Sequence, residues 1–440
     1  MSERPRLSVI GTGYLGATHA VCMVELGYEV IGLDVDHAKI DALRAGQIPF
    51  FEPGLPELLA KHMDSGKLRF TTDYAEVAEF ADVHFVCVGT PQKQGQYAAD
   101  LTYVEAAFTS LAQHLTRRAL VVGKSTVPAG TAARMAQLLA DVSPNKDVEL
   151  AWNPEFLREG FAVEDTLRPD RLVFGVHSEW AEQTIRSAFA PVIENGCPVI
   201  VTDYATAELV KVAANSFLAT KISFINAMAE VCEATGADVT QLADAIGHDA
   251  RIGRRFLNAG LGFGGGCLPK DIRAFIARAG ELGVDQAVSF LRDVDEINLR
   301  RRARTVELGL DLNDGSYRGT KVAVLGAAFK PNSDDVRDSP ALDVAASIAR
   351  RGAEVYLYDP EANANAAKRH PELTYVNTLD EAVSGADLVM LLTEWNEFRQ
   401  MDPEFIGSKV NKRNIVDGRN VLDPVQWRGA GWVYRSLGRP

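Results

Sequence analysis

The chain has 440 residues, of which 47% are hydrophobic and 24% charged, and a formal net charge of −13. That length accommodates two or three domains, each with its own core, and the composition is that of an ordinary soluble globular protein. The acidic balance argues against non-specific nucleic-acid binding and favours small anionic ligands held in local basic pockets.

No apolar run is long enough to cross a membrane. Residues 1–6 lead directly into a strand without a charged-then-apolar leader, so a cytoplasmic protein is expected. Five cysteines and eight histidines show no CxxC or paired-ligand spacing, and neither a disulfide framework nor a metal site is expected.

In chain order, Leu7–Ile10 is an apolar strand followed by Gly11-Thr12-Gly13-Tyr14-Leu15-Gly16 and an apolar helical pattern to residue 26. A second strand over 29–33 ends in Asp34, and residues 81–91 read as a buried strand running into a loop with Thr90 and Pro91. Strands alternating with helices imply a parallel, doubly wound sheet. Helical patterns follow over about 205–235, ended by Gly236, and over about 286–308. The first is apolar on most faces, through Leu209, Val210, Val212, Phe217, Leu218, Ile222, Phe224, Ile225 and Met228. It is expected to be buried between domains or between subunits, with a homodimer built around it.

The C-terminal part repeats the opening plan. Residues 321–326 mirror the first strand, 351–359 mirror 26–34, and 385–393 mirror the strand that ends at Thr90. This second copy lacks the GxGxxG spacing and would bind a nucleotide by other contacts. The expected fold is α/β: two Rossmann-like doubly wound parallel-sheet domains joined by a helical central domain with a long buried helix. The expected boundaries are 1–204, 205–312 and 313–440.

In GxGxxG the glycines permit the tight turn, the approach of backbone to a pyrophosphate and the packing of helix on strand. Gly11, Gly13, Tyr14, Leu15 and Gly16, with Thr90, are the expected cofactor contacts. A carboxylate at Asp34 accepts from ribose hydroxyls and repels a 2′-phosphate, which selects NAD over NADP. Lys39 supports the adenosine end, or is a solvated helix lysine.

Lys211 and Asn215 sit four apart on the apolar helix and are donors suited to an oxyanion; an interhelical polar contact is the other reading. Glu155 and Glu159 in Asn153-Pro154-Glu155-Phe156-Leu157-Arg158-Glu159 form a carboxylate pair able to position water, or a solvated helix face. Thr126 alone reads as a turn residue. Residues 262–271, Gly-Phe-Gly-Gly-Gly-Cys-Leu-Pro-Lys-Asp, set Cys267 on a glycine loop before a helix that Pro269 would begin. The thiol would face the positive end of that helix, with Asp271 on the same face. By itself the segment also reads as a tight turn around a small buried thiol.

Taken together, residues 11–16, 153–159, Lys211 with Asn215, 262–271 and Ala-Ala-Phe-Lys-Pro-Asn-Ser-Asp-Asp-Val-Arg over 327–337 resemble the UDP-glucose/GDP-mannose dehydrogenase family, most closely its UDP-glucose branch. Gly266 departs from the bulkier or hydroxyl residue often found before the cysteine. The resemblance implies a four-electron oxidation of a nucleotide-sugar C6 alcohol to a carboxylate with two NAD molecules in turn, through thiohemiacetal and thioester intermediates. It implies Cys267 as nucleophile, Lys211 and Asn215 as oxyanion donors, Asp271 as a positioner of water or of Lys211, and Glu159 and Thr126 managing a proton and water near the nicotinamide.

It further implies that Glu155, Phe156, Leu157, Arg158, Glu159, Phe256, Leu257, Asn258, Ala259, Gly260 and Gly264 line the sugar nucleotide, with Lys330 and the diphosphate-binding Arg419. Arg251 would come from the partner subunit, and Lys270 and Arg337 would approach NAD. Lys330 and Arg337 also read as loop charges before a helix begun by Asp338, Ser339 and Pro340. GDP-mannose, TDP-glucose or an N-acetylhexosamine nucleotide are alternative substrates. A catalytically silent NAD or sugar-nucleotide sensor is the alternative outside enzymes. A β-hydroxyacid-type dehydrogenase shares the first domain and the Lys-x-x-x-Asn helix, but needs neither the loop cysteine nor a second α/β domain.

Overall fold

The computed structural model describes residues 4–440; the part of the expected leaderless start that falls on residues 1–3 lies outside them. The chain divides into two compact units. One comprises the residues up to Ala214 together with Arg273–Gly283, the other Asn215–Ile272 with Val284–Pro440.

The first unit holds eight strands: β1 Leu7–Ile10, β2 Val30–Leu33, β3 Leu68–Thr71, β4 Val83–Val86, β5 Leu120–Gly123, β6 Glu149–Trp152, β7 Leu172–Gly175 and β8 Val199–Thr202. Their order is β3-β2-β1-β4-β5-β6-β7-β8. β1 to β6 run parallel, as expected, and β7 reverses against β6 at Trp152 and Gly175. β1, β2, β4 and β5 are buried at every position, because helices cover both faces of a parallel sheet, and such strands read as unbroken apolar runs. The order reverses between β1 and β4. A crevice therefore opens at their carboxyl ends, where open α/β sheets bind ligands.

The second unit carries a six-stranded, wholly parallel sheet: β9 Lys321–Leu325, β10 Glu354–Tyr358, β11 Thr374–Tyr375, β12 Leu388–Leu391, β13 Asn414–Asp417 and β14 Val433–Ser436. Its order, β11-β10-β9-β12-β13-β14, repeats that of the first six strands. The helix Phe290–Asp311 begins four residues later than its sequence pattern. A 3₁₀ turn over Asp285–Val288 occupies the difference, tightening the entry with i→i+3 bonds.

The long helix spans Tyr204–Thr235, and Gly236 ends it at φ +76. One side is inward, with Ser223, Ile225 and Asn226 fully buried. Ser223 bonds to the Val294 carbonyl at 2.7 Å, and Glu233 pairs with Arg301 and Arg304 of the helix Phe290–Asp311. The opposite side is exposed among the described residues, so of the two expected settings, between domains or between subunits, only the second would cover it. Phe217 is 67% exposed, and Leu209, Phe224 and Val231 are also open. Phe217, Phe224 and Val231 fall at seven-residue spacing and so form one stripe. No helix among the described residues is long and apolar enough to cross a membrane.

Candidate active site

In the first unit the glycine motif closes the turn after β1. Gly11 takes a left-handed backbone (φ +87). A Cβ on Gly16 would run into the Gly11 carbonyl oxygen, so the helix Tyr14–Glu25 can approach β1 only with glycine there. Beyond its own chain neighbours, nothing described lies within 4 Å of where a Gly13 Cβ would stand. That open space, at a helix amino terminus, fits a dinucleotide pyrophosphate.

Asp34, just beyond β2, accepts the Thr12 N–H at 2.9 Å, the Asp36 N–H at 3.1 Å and the Lys39 ammonium at 2.7 Å. Burial works to raise its pKa, but Lys39 and these N–H groups outweigh burial and hold the carboxyl below its ordinary range. Lys39 is therefore the ion partner of Asp34 and not a solvated lysine. Thr90 lies beyond β4 and donates its hydroxyl to the Thr126 carbonyl at 2.8 Å.

The segment after β6 is irregular, not helical, over 153–158. Glu155 and Glu159 therefore do not share a helix face. Glu155 turns back on its own loop, accepting from the Leu157 N–H at 2.7 Å, and pairs with the buried Lys211 ammonium at 3.0 Å. Phe156 lies beside the Arg171 guanidinium at 3.7 Å from its ring centroid and Lys211 at 5.6 Å. Arg158 points outward and is held by Asp165.

Three buried ionisable groups of this unit went unnoticed in the sequence. Lys124 is 6% exposed and donates to Asn153 at 2.7 Å; burial pushes its ammonium below the ordinary range, against the pull of Glu155. Glu208 accepts from the Gly130 and Ala132 N–H groups at 2.7 and 2.6 Å, anchoring the loop that follows Thr126. Glu52 binds Tyr14 and the backbone after Glu159. The only trace of each was an ionisable residue beside an apolar run, a pattern shared by many surface positions.

In the second unit, Cys267 directly precedes the helix Leu268–Glu281, and its carbonyl accepts the Asp271 N–H at 2.9 Å. This is the N-cap position. The thiol is exposed, which excludes the small buried thiol as its explanation. Asp271 is 2% exposed; its Oδ2 accepts from Asn215 at 2.6 Å, and the Lys270 ammonium lies 2.8 Å from Oδ1 as a charge contact without hydrogen-bond direction. Carboxylate and amide are thus joined one helical turn after the cysteine.

The glycine loop is tied down along its length. The buried Asn298 exchanges two hydrogen bonds with the Phe263 backbone at 2.7 and 2.9 Å, Arg419 donates to the Gly262 carbonyl at 3.0 Å, and the Gly265 N–H donates to Arg337 at 2.9 Å. A Cβ at Gly264 would strike the Asp338 carbonyl, and one at Gly266 would displace the Arg337 guanidinium. Only the end of that flexible side chain would have to move to admit a larger residue at 266. Asn298 and Arg302, which also donates to Phe263, were missed in the sequence because polar residues inside a helical pattern carry no mark of what they bind.

Of the other expected substrate contacts, Phe256 adopts a left-handed backbone (φ 66), Leu257 and Ala259 are buried, and the Gly260 N–H donates to Asn226 at 2.9 Å. Asn258 accepts from Arg254 at 2.8 Å. Lys330 sits 5.3 Å from the Phe329 ring centroid. Arg419 also donates to the Leu392 and Phe329 carbonyls. Arg337 is gripped by Asp335, and Arg251 projects outward, its side chain 89% exposed and paired with Asp249.

Residues 5–193 match the NAD binding domain of the UDP-glucose/GDP-mannose dehydrogenase family, 205–300 its central domain and 323–424 its UDP binding domain. The chain belongs to the UDP-glucose/GDP-mannose dehydrogenase family. It is 42% identical to a UDP-glucose 6-dehydrogenase of Rhizobium meliloti over 99% of this chain and 100% of that protein. Among solved structures it is similar to a UDP-glucose dehydrogenase from Pyrobaculum islandicum, at 38% identity and a TM-score of 0.91 over 100% and 99% of the two chains. It is also similar to a UDP-D-ManNAc dehydrogenase from Pyrococcus horikoshii, at 29% identity and a TM-score of 0.87, covering 99% of each. In the terms of this dehydrogenase family, the glycine cradle and Asp34 lie in the NAD binding domain. Cys267 lies in the central domain.

Proposed function

We propose that this protein oxidises UDP-glucose at C6 to UDP-glucuronate, with two NAD⁺ and one water consumed and two NADH released. The observation that carries the reading is the exposed Cys267 at a helix N-cap, its Asp271 neighbour bonded to Asn215. The 38–42% identity to proteins named for UDP-glucose, against 29% to one named for UDP-D-ManNAc, supports the choice of sugar.

NAD, when bound, supplies a hydride acceptor for each of the two oxidations. Gly11, Gly13, Tyr14, Leu15 and Gly16 would cradle it, Asp34 and Lys39 would hold the ribose end, and Thr90, Lys270 and Arg337 would complete its contacts. Cys267 holds the C6 aldehyde as a thiohemiacetal, so that no free aldehyde escapes, and the next oxidation leaves a thioester. Water adds to the thioester carbon, the C–S bond breaks, and the thiol and the carboxylate product are released. Lys211 and Asn215 donate to the oxyanion, Asp271 positions water or Lys211, and Glu159 and Thr126 handle a proton and water near the nicotinamide.

Glu155 to Glu159, Phe256 to Gly260, Gly264, Lys330 and Arg419 form the sugar-nucleotide contacts in this proposal. The open stripe through Phe217 and Phe224 supports a homodimer, with Arg251 donated across it. Residues 1–204, 205–312 and 313–440 serve as NAD, central and sugar-nucleotide domains of a cytoplasmic enzyme.

The test is NADH formation across a panel of UDP, TDP and GDP sugars, with Cys267→Ser alongside. We expect two NADH per UDP-glucose, and a loss of about a thousandfold or more in steady-state rate for Cys267→Ser with sugar-nucleotide binding within a few-fold. One NADH with a stable aldehyde, or full turnover by the variant, overturns the covalent mechanism. Preference for another sugar reassigns the substrate, and ligand binding without NADH formation would make the protein a sensor.

A further inference from the structure

Outside the residues given a role above, one buried carboxylate joins two parts of the first unit that the reaction needs. Glu52 is 2% exposed, in the turn before the helix Leu55–Asp64. Its Oε1 accepts the Ala162 N–H at 2.7 Å, at the start of the helix Ala162–Leu167. Its Oε2 accepts both the Tyr14 hydroxyl and the Gly160 N–H, the latter at 2.7 Å. The Gly160 N–H also reaches the Tyr14 oxygen at 3.1 Å, closing a three-member network.

Both ends of this network matter. Tyr14 is the residue after the second glycine of the dinucleotide motif, and its ring packs on Phe50 at 4.9 Å between centroids. Gly160 follows Glu159 directly and holds a left-handed backbone (φ +78). Burial, then the Glu52 carboxylate, drives the Tyr14 phenol far above its ordinary pKa, with the nearby charge of Glu159 adding to the shift. The phenol therefore stays protonated and the donor. A carboxylate buried with four donors aimed at it is held in one orientation.

We propose that Glu52 is a positioning residue whose carboxylate fastens Tyr14 of the dinucleotide loop to Gly160, so that the cofactor cradle and Glu159 are set as one body. This rests on the oxidation proposed above for the meaning of Glu159, but its binding arm does not. A neutral amide of the same shape can still accept from Ala162, yet presents an NH₂ to the Gly160 N–H, so Glu52→Gln breaks the network selectively.

The test measures NADH affinity by fluorescence, together with kcat, KM for NAD and Tm, in Glu52→Gln, Tyr14→Phe and the double variant. We expect Glu52→Gln to weaken NADH binding and lower kcat, each by about tenfold, within the range of interaction energies in one hydrogen-bond network. In the Tyr14→Phe background the same change should do little more. A lowered Tm with NADH affinity, KM and kcat within twofold of wild type overturns the proposal, as do fully additive effects. If Glu52→Gln fails to fold, Tyr14→Phe decides, since it keeps the ring on Phe50: wild-type NADH affinity and kcat in that variant overturn the proposal. A wild-type protein that binds NADH but leaves UDP-glucose untouched defeats the proposed reaction, while the affinity measurements still judge Glu52.

Discussion

The two sheets share one plan and put it to different ends. In both, a left-handed glycine follows the first strand of the repeat, Gly11 at φ +87 and Gly326 at φ +107. In both, a carboxylate beyond the next strand accepts from that loop's backbone, Asp34 from Thr12 and Asp359 from Ala327 and Ala328. In the first sheet the turn is open at Gly13, and Asp34 takes the Thr12 and Asp36 N–H groups, the Thr12 hydroxyl and the Lys39 ammonium. In the second, a Cβ at Gly326 would press into Thr393, Thr393 bonds across the loop to Ala328, and Asp359 also takes the N–H groups of Glu361, Ala362 and the Trp395 indole. One topology thus yields either an open glycine turn or an internal clasp, depending on whether another part of the chain packs against the loop, as Thr393 does against Gly326.

The largest expected effect breaks the clasp. Asp359→Ala leaves four buried N–H donors and the part-buried Glu361 N–H unpaired and should cost about 3 kcal/mol or more of stability, seen as a lower denaturation midpoint of the second unit. An unchanged midpoint would mean that the clasp is dispensable. Asp34→Asn should act on the ligand instead. It should raise KM for NAD about tenfold, with stability within about 1 kcal/mol of wild type because its ion pair with Lys39 is partly exposed. If the two variants exchanged phenotypes, the contrast between the sheets would fail.

The smallest effect is one of pH. Asp34 is held below its ordinary pKa, so its contribution to stability is fully present above the unfolded value of about 3.9 and is lost as pH falls through the folded value. Any stability advantage of wild type over Asp34→Asn should therefore shrink as pH falls below about 4 in denaturant titrations. Asp417, fully buried in the second sheet, is shifted the opposite way: burial raises its pKa against the Leu422 N–H and the Tyr434 hydroxyl.

Much of the first sheet was legible because its signals are local. A strand, a glycine turn, a helix and an acid at the end of the next strand follow from backbone sterics within some thirty residues, and the second sheet was readable as a fainter copy. The reversal of β7 was not, since a four-residue apolar strand looks the same in either direction. The Glu155 and Glu159 pair was misleading for a related reason. Spacing of four implies a shared face only if the backbone is helical, and here Glu155 folds back to its own loop and to Lys211.

From residue order alone came the repeated α/β plan, the glycine cradle with its acid, the long helix and the family to which the chain belongs, because these rest on short-range geometry and on residue types that few other sites combine. Tertiary structure alone decided that Cys267 is exposed, that Asp271 is held by Asn215 and the Cys267 loop by Asn298, and that Glu52 joins Tyr14 to Gly160. Those pairings connect residues 35 to 108 positions apart in the cases of Asn298 and Glu52. A buried polar atom must find a partner, but sequence does not say which one, and only the packed chain makes that choice.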